Sequence, residues 1–276
     1  MLVPFLIMVR EGVEAALIVG IIAGYLRQTG RSQWMPLVWI GIAVAALLCL
    51  GLGIALDLVS ADFPQRQQEL FSAVVGFVAV AMLTSMVFWM RKAARSIKGQ
   101  LHDSIDAALK GSNASGLALV AMVFFAVARE GLESVFFLLA TFQQASGLAA
   151  PLGAVAGLLV AVGVGLSIYW GTLRLDLRRF FRWTGAFILI VAAGLLAGSL
   201  RSLHEAGLWN GLQQIAFDIS PVLPLDSPLG SVLGGIFGYQ DAPTLGEIGL
   251  YLCFLVVTLP LFLIGSNAPR RLPSNA

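Results

Sequence analysis

Charge is scarce along this chain. Only 12% of its 276 residues are Asp, Glu, Lys or Arg, against roughly 25% in soluble domains, and that scarcity excludes an ordinary water-facing surface. Cysteine is scarcer still: Cys49 and Cys253 lie inside apolar runs without pairing or metal-ligand spacing, so no disulfide framework is expected and both read as packing residues. With only two histidines besides, the chain has too few soft or imidazole ligands for a copper or haem redox centre. No resident cofactor is expected. A formal net charge of +2 gives no reason to expect a nucleic-acid partner. From residue 202 to 269 there is not one Lys or Arg.

What fills the chain instead is apolar: 58% of residues are hydrophobic. Windows of about 20 apolar residues, the length a ~30 Å hydrocarbon core requires, fall at 2–26, 35–57, 69–90, 115–141, 151–172, 183–202 and 247–265. The expected fold class is an all-α polytopic membrane protein with seven transmembrane helices. Arg10, Glu11 and Glu14 interrupt the first window, where a signal peptide would need an uncharged core, so this segment reads as a spanning helix.

Orientation follows from where Lys and Arg lie. Arg27 and Arg31 follow the first window; Arg91, Lys92, Arg95, Lys98 and Lys110 follow the third; Arg174, Arg178, Arg179 and Arg182 follow the fifth; Arg270 and Arg271 end the chain. The alternate connections hold few basic residues or none. The N-terminus is therefore expected outside and the C-terminus in the cytoplasm. The basic stretch RKAARSIKGQLHDSIDAALKGSNASG, residues 91–116, reads as a topology anchor on anionic membrane lipid.

The sequence repeats itself. Shifting it by 119 residues superposes FLIMVREGVE on FFAVAREGLE, aligning Arg10, Glu11, Gly12 and Glu14 with Arg129, Glu130, Gly131 and Glu133. Weaker echoes align PLVWIG with PLGAVAG at the second and fifth windows, and FSAVVGF with FRWTGAF at the third and sixth. Two three-helix repeats are expected, with a seventh helix left over. An odd number of spans per repeat inverts the second copy, a plan that sets a site where repeats meet. At ~1.5 Å per residue all four glutamates then lie roughly 12 to 19 Å below the outer surface.

On a helix, Arg10, Glu11 and Glu14 point to about 0°, 100° and 40°, one polar arc with Gly12 opposite. Arg129, Glu130 and Glu133 repeat it. A charge at the bilayer centre costs on the order of 3 kcal/mol even on insertion scales, so both arcs are expected to face inward and meet. Four carboxylates against two guanidiniums leave net negative charge, which suits a small, hard, multiply charged cation held by oxygen. Ion pairs that only set helix register, or a proton relay of crowded carboxylates, use the same residues. Gly12, Ala16, Gly20 and Gly24, with Gly157, Ala161 and Gly165, form ridges spaced four apart that let membrane helices approach closely.

The connection between the sixth and seventh windows is long, about 44 residues, and long loops are usually functional. It holds His204, Glu205, Asp218, Asp226, Asp241 and Glu247 and no basic residue, so it should attract cations. Glu205 and Asp241 are the candidates for recruitment there; His204 reads as a hydrogen-bonding residue.

With REGVE and REGLE carried on seven apolar segments, and with VPFLIMVREGVEAALIV, MVFWMRK, FFAVAREGLESVFFLLA and HEAGLWN around them, the chain resembles the oxidase-dependent iron permease family over nearly its whole length. That resemblance implies a transporter rather than an enzyme, in the bacterial inner membrane, importing iron. In such permeases iron arrives as ferrous ion and passes as ferric ion after oxidation outside. It implies Glu11, Glu14, Glu130 and Glu133 as the ligands, Arg10 and Arg129 as partners of the carboxylates, and an external oxidase or peroxidase with a cupredoxin-like module as protein partners. The division that follows is 1–112 for the first repeat with its basic loop, 113–202 for the second repeat, 203–246 for the acidic outer loop, and 247–276 for the seventh helix and tail. Manganese or magnesium as cargo, and a proton-conducting or scaffold subunit of a membrane redox complex, are the alternatives.

Overall fold

The computed structural model describes residues 1–61, 63–93, 115–144, 148–169, 177–225 and 227–264. Among these residues eight α-helices form: α1 (Leu2–Gln28), α2 (Met35–Ala61), α3 (Gln65–Ala93), α4 (Ser115–Gln144), α5 (Ala149–Tyr169), α6 (Leu177–Glu205), α7 (Pro228–Phe237) and α8 (Leu245–Ile264). The one β feature described is an isolated bridge between Ile215 and Thr244. Helices are what apolar sequence of this length must form where no water is available to backbone amides. Each apolar window lies in or overlaps one of the seven longer helices. Five of them, α2, α3, α5, α6 and α8, are long and apolar enough to cross a membrane, which makes this a multi-pass membrane protein. The other two, α1 and α4, have 27 and 30 residues and contain the two charged motifs. Asp62, Asp226, Arg174, Arg270, Arg271 and nearly all of the basic stretch 91–116 lie outside the described residues.

The two motif helices run antiparallel. Val3 and Ile7 near the start of α1 share a core cluster with Phe137, Leu139 and Ala140 near the end of α4. At the other end of the bundle, Ile22 and Leu26 of α1 share a cluster with Leu119 and Val123 of α4.

Each motif helix packs chiefly on a helix from the other half of the chain, α1 on α5 and α2 on α4. Small residues set both interfaces. A Cβ added at Gly153 would strike the carbonyl of Met1, at Gly157 that of Phe5, at Gly12 the Ala161 methyl, and at Gly165 the Ala16 methyl. Numbers rise together, so α1 and α5 are parallel. On the second pair Gly41 meets Val120, Gly131 meets Cys49 and Gly53 meets Val135, again parallel. These contacts superpose: Met1, Gly12 and Ala16 precede Val120, Gly131 and Val135 by 119 residues, and Gly41, Cys49 and Gly53 precede Gly153, Ala161 and Gly165 by 112. The PLVWIG and PLGAVAG echo, which pairs Pro36 with Pro151 at an offset of 115, is therefore three residues out of packing register. The prolines mark where helices open, whereas the close contacts are made by the small residues further along.

Two other expectations are corrected. Only the first half of the α1 ridge is used among the described residues, because a Cβ at Gly20 or Gly24 would meet nothing within 4 Å, whereas Gly12 and Ala16 lie against Ala161 and Gly165. Cys49 packs as expected and donates its S–H to the Ala128 carbonyl at 3.7 Å, but Cys253 is exposed on the surface of α8.

Leu83 and Val87 of α3 and Ile188, Leu189, Ala192 and Leu195 of α6 make the main core, and Phe262 of α8 joins them. Arg201 fastens α8 to α6 by a two-point pair with Glu247, Nε to Oε1 at 3.1 Å and Nη2 to Oε2 at 2.5 Å, the forked geometry a guanidinium favours. The long loop is built rather than slack. Ser227 caps α7 by accepting from the Gly230 amide at 2.9 Å, and Gly238 closes the helix with φ 66°. Gly238 also lies against Gly194 of α6, so close that a Cβ on either would strike backbone.

Gly165 and Gly163 supply a matched test of the α1 to α5 contact. Gly165→Val should lower the thermal stability of the detergent-solubilised protein, at an overpacking cost of about 1 to 3 kcal/mol. Gly163→Val, where nothing lies within 4 Å, should leave the melting temperature unchanged.

Candidate metal centre

Arg10 sits on a polar arc that must be hidden from lipid, and it is hidden: its side chain is 2% exposed. Nη1 donates to Glu11 Oε1 at 2.5 Å and to the thioether sulfur of Met86 on α3 at 3.0 Å. Nη2 lies 3.1 Å from Glu14 Oε1, a charge contact without hydrogen-bond alignment. Glu11 and Glu14 are equally buried. Because α4 runs antiparallel alongside, it brings Glu130 to the same level. Carboxylate oxygens of Glu11, Glu14 and Glu130 all lie within 4.8 Å of one another.

Glu133 behaves differently. Its Oε1 accepts from Arg129 Nε at 3.2 Å, and it is absent from that close trio. Arg129 has not followed Arg10 inward. Its side chain is 46% exposed, and its guanidinium lies 4.3 Å from the ring centroid of Trp89 on α3, a cation–π contact. Arg129, Glu133 and Trp89 line a cavity of about 250 Å³ with Met82, Ser85 and Met86.

The expected cluster of four carboxylates and two guanidiniums is thus divided. One part is a pair, Arg129 with Glu133, whose charges cancel. The other holds three carboxylates against the single guanidinium of Arg10. Glu11 Oε2, Glu14 Oε1, Glu130 Oε2 and Glu133 Oε2 are all buried without a hydrogen-bond partner, and a buried polar atom left unpaired costs roughly 1 to 3 kcal/mol, more when charged. Glu11, Glu14 and Glu130, each with one carboxylate oxygen at this spacing, can converge on one hard cation. The backbone at Gly12 and Gly131 faces the neighbouring helices α5 and α2.

A second, larger cavity of about 930 Å³ opens at the end of the bundle that holds Met1. Glu205 and Glu69 line it, with Gln143, Arg201 and Gln240, and the Glu69 carboxyl is within hydrogen-bond reach of Glu205. Asp241 is not in its wall: its carboxylate accepts the Leu225 amide at 3.1 Å and its carbonyl accepts the Ile219 amide at 2.9 Å, so it ties the loop together. Asp218 likewise serves its own turn, accepting from the amide and hydroxyl of Ser220 at 2.9 and 2.6 Å, and these bonds hold its carboxyl below the usual range. His204, read as a hydrogen-bonding residue, leaves Nε2 buried without a partner.

Sequence reasoning missed Met86, Trp89 and Glu69. The first two sit in an apolar run as ordinary packing residues, and only the spacing of Met82, Met86 and Trp89 along one side of α3 hints that they share a face. Glu69 stands at the opening of the 69–90 window, where nothing in the local sequence marks it.

The Iron permease FTR1 family matches residues 1–265. The "Ferrous iron permease EfeU" of Yersinia pestis is 58% identical over 264 residues, which cover 96% of this chain and 94% of that protein. The protein of that name from Escherichia coli O157:H7 is 56% identical over 268 residues, covering 97% of each. No solved structure matches the chain. With the family match spanning all the helices described and full-length relatives this similar, the chain belongs to the FTR1 iron permease family.

Proposed function

We propose that this chain imports iron across the bacterial cytoplasmic membrane by passing it through the carboxylate cluster of Glu11, Glu14 and Glu130, with Glu133 adjoining and Arg10 and Arg129 setting the local charge. The observation that carries this reading is the imbalance in the buried cluster: three carboxylates within 4.8 Å of one another share one guanidinium, deep in apolar surroundings. A multiply charged cation supplies the missing positive charge. The relatives named ferrous iron permeases support iron as that cation.

Seven helices cross the membrane in this reading, with the N-terminus outside and the C-terminus in the cytoplasm. Residues 1–112 and 113–202 form two inverted three-helix units around the cluster, 203–246 an acidic outer loop, and 247–276 the last helix and tail. The antiparallel course of α1 and α4 and the matched registers of the two helix pairs support the inversion. The 930 Å³ cavity is then an outer vestibule, and Glu205, with Glu69 beside it, concentrates cations there. An all-oxygen ligand set suits ferric ion. Oxidation belongs to separate external partners, an oxidase or peroxidase with a cupredoxin-like module, because two histidines and two cysteines cannot build such a centre. The chain is a transporter and not an enzyme.

Radiolabelled iron uptake in cells tests the cluster directly. Glu14→Ala and Glu130→Ala should each lower uptake by about tenfold or more, the effect of removing roughly 1.4 kcal/mol of binding. Near-normal uptake at normal protein levels would sink the reading. In the same assay, Glu205→Gln should raise the half-saturating iron concentration about threefold and leave maximal uptake unchanged, as expected of a residue that only concentrates the ion. Asp241→Asn should do neither. Manganese or magnesium at about a hundredfold excess should leave iron uptake within about twofold; strong competition would point to a general hard-cation carrier, since oxygen ligands overlap.

A further inference from the structure

We propose that Glu133 is a hand-off ligand, taking the cation out of the Glu11, Glu14, Glu130 cluster into the 250 Å³ cavity, and that Arg129 is its latch, released onto Trp89. This rests on the reading of the cluster as the iron site, and it concerns where the ion goes next.

The two motifs are identical at every charged position, yet their arginines are in different situations. Arg10 is enclosed, with Nη1 shared between Glu11 and Met86 and Nη2 against Glu14. Arg129 holds Glu133 by one bond, at 3.2 Å, while the rest of its guanidinium is half exposed over the Trp89 ring. It can let go of Glu133 without becoming a buried bare charge, because the ring face and the cavity both receive it. Glu133 itself is nine-tenths buried and lines the cavity, and its Oε2 is buried without a hydrogen-bond partner. One carboxylate oxygen is therefore already free to meet an incoming cation while the other is still tied to Arg129.

Position supports the order of events. Met86 separates the two compartments: its sulfur touches Arg10 in the cluster, and its side chain lines the cavity. The vestibule is lined by the beginnings of α1, α3 and α5 and the ends of α2, α4 and α6. The smaller cavity is lined by the middle of α4 and by Met82 to Trp89 of α3, which lie farther along α3 than the vestibule's Gln68 to Ser72. In the proposed topology that direction along α3 leads toward the cytoplasm, and Trp89 lies four residues before the last residue of α3. A cation that reaches Glu133 replaces Arg129 as the carboxylate's partner. The like charges of the cation and Arg129 then part Arg129 from Glu133 and leave the guanidinium on the Trp89 ring it already covers, which opens the way out. The ligand set differs as well. One carboxylate with the thioethers of Met82 and Met86 and the Ser85 hydroxyl is softer and weaker than three carboxylates, which favours release over retention.

The test compares binding with transport in the purified full-length chain. Ferrous iron under anaerobic conditions and ferric citrate are each used alone, in equilibrium dialysis and in uptake by proteoliposomes. Glu133→Gln should bind iron within about twofold of the unsubstituted chain yet transport it about tenfold more slowly or worse, whereas Glu130→Gln should lose binding and transport together. Trp89→Leu should slow transport about threefold or more without changing binding, and Trp89→Phe, which keeps an aromatic face, should restore it. Binding by Glu133→Gln that is as weak as that of Glu130→Gln makes Glu133 a fourth cluster ligand and overturns the hand-off. Equal transport by Trp89→Leu and Trp89→Phe overturns the latch. An unsubstituted chain that binds no iron, or undiminished binding by Glu130→Gln, is a different failure and strikes at the cluster itself.

Discussion

A guanidinium and three carboxylates cannot be left in hydrocarbon, and the arrangement of the helices answers that constraint. Arg10 is the largest of the four, with a side chain only 2% exposed between its own helix and Met86. Enclosing it requires α3 and α4 to close over α1, and closing them brings Glu130 beside Glu11 and Glu14. The enclosure is deliberately incomplete in charge. Removing one partner of a buried pair is costly because the remaining charge stands uncompensated, and here two carboxylates stand that way by construction. Such an arrangement is tolerable only where something else supplies the balance.

Close helix approach makes this enclosure possible. Apolar side chains gain little from meeting one another where lipid is equally apolar, so membrane helices adhere through near backbone contact. Gly12 against Ala161 and Gly131 against Cys49 sit beside the charged residues of each motif. The far side of each motif helix is thereby clamped while its charged side faces the interior. The site is held from behind by small residues that carry no chemistry of their own.

Much of this was legible in the primary structure because charge inside an apolar run is conspicuous. REGVE and REGLE stand out on that ground alone, and their spacing predicts one polar arc each. Two apolar windows lie between them, an even number that predicts antiparallel motif helices, and α1 and α4 are antiparallel. What was not legible is how neighbours break the likeness of the two motifs. Arg10 and Arg129 have the same flanking glutamates, but Met86 receives one and the Trp89 ring the other; no local pattern distinguishes those outcomes. Packing register was misjudged for a related reason, since prolines that align two sequences need not align two contacts. Asp241 looked available because it is acidic and in a loop. Backbone amides that lack partners compete for such carboxylates, and the Leu225 amide has taken this one.

The exchange of partners between the halves has a mechanical consequence. Because α1 is bound to α5 and α2 to α4, neither sequence repeat is a free-standing body, and one cannot swing away from the other without parting its tightest seams. The most closely packed couples are the cross-paired ones, α1 with α5 and α2 with α4. The carboxylates divide between those couples, with Glu11 and Glu14 on one and Glu130 and Glu133 on the other. A slide of one couple past the other would therefore widen or narrow the gap between opposing carboxylates directly, and in the proposed reading of the cluster the ion's grip and the protein's motion are the same coordinate.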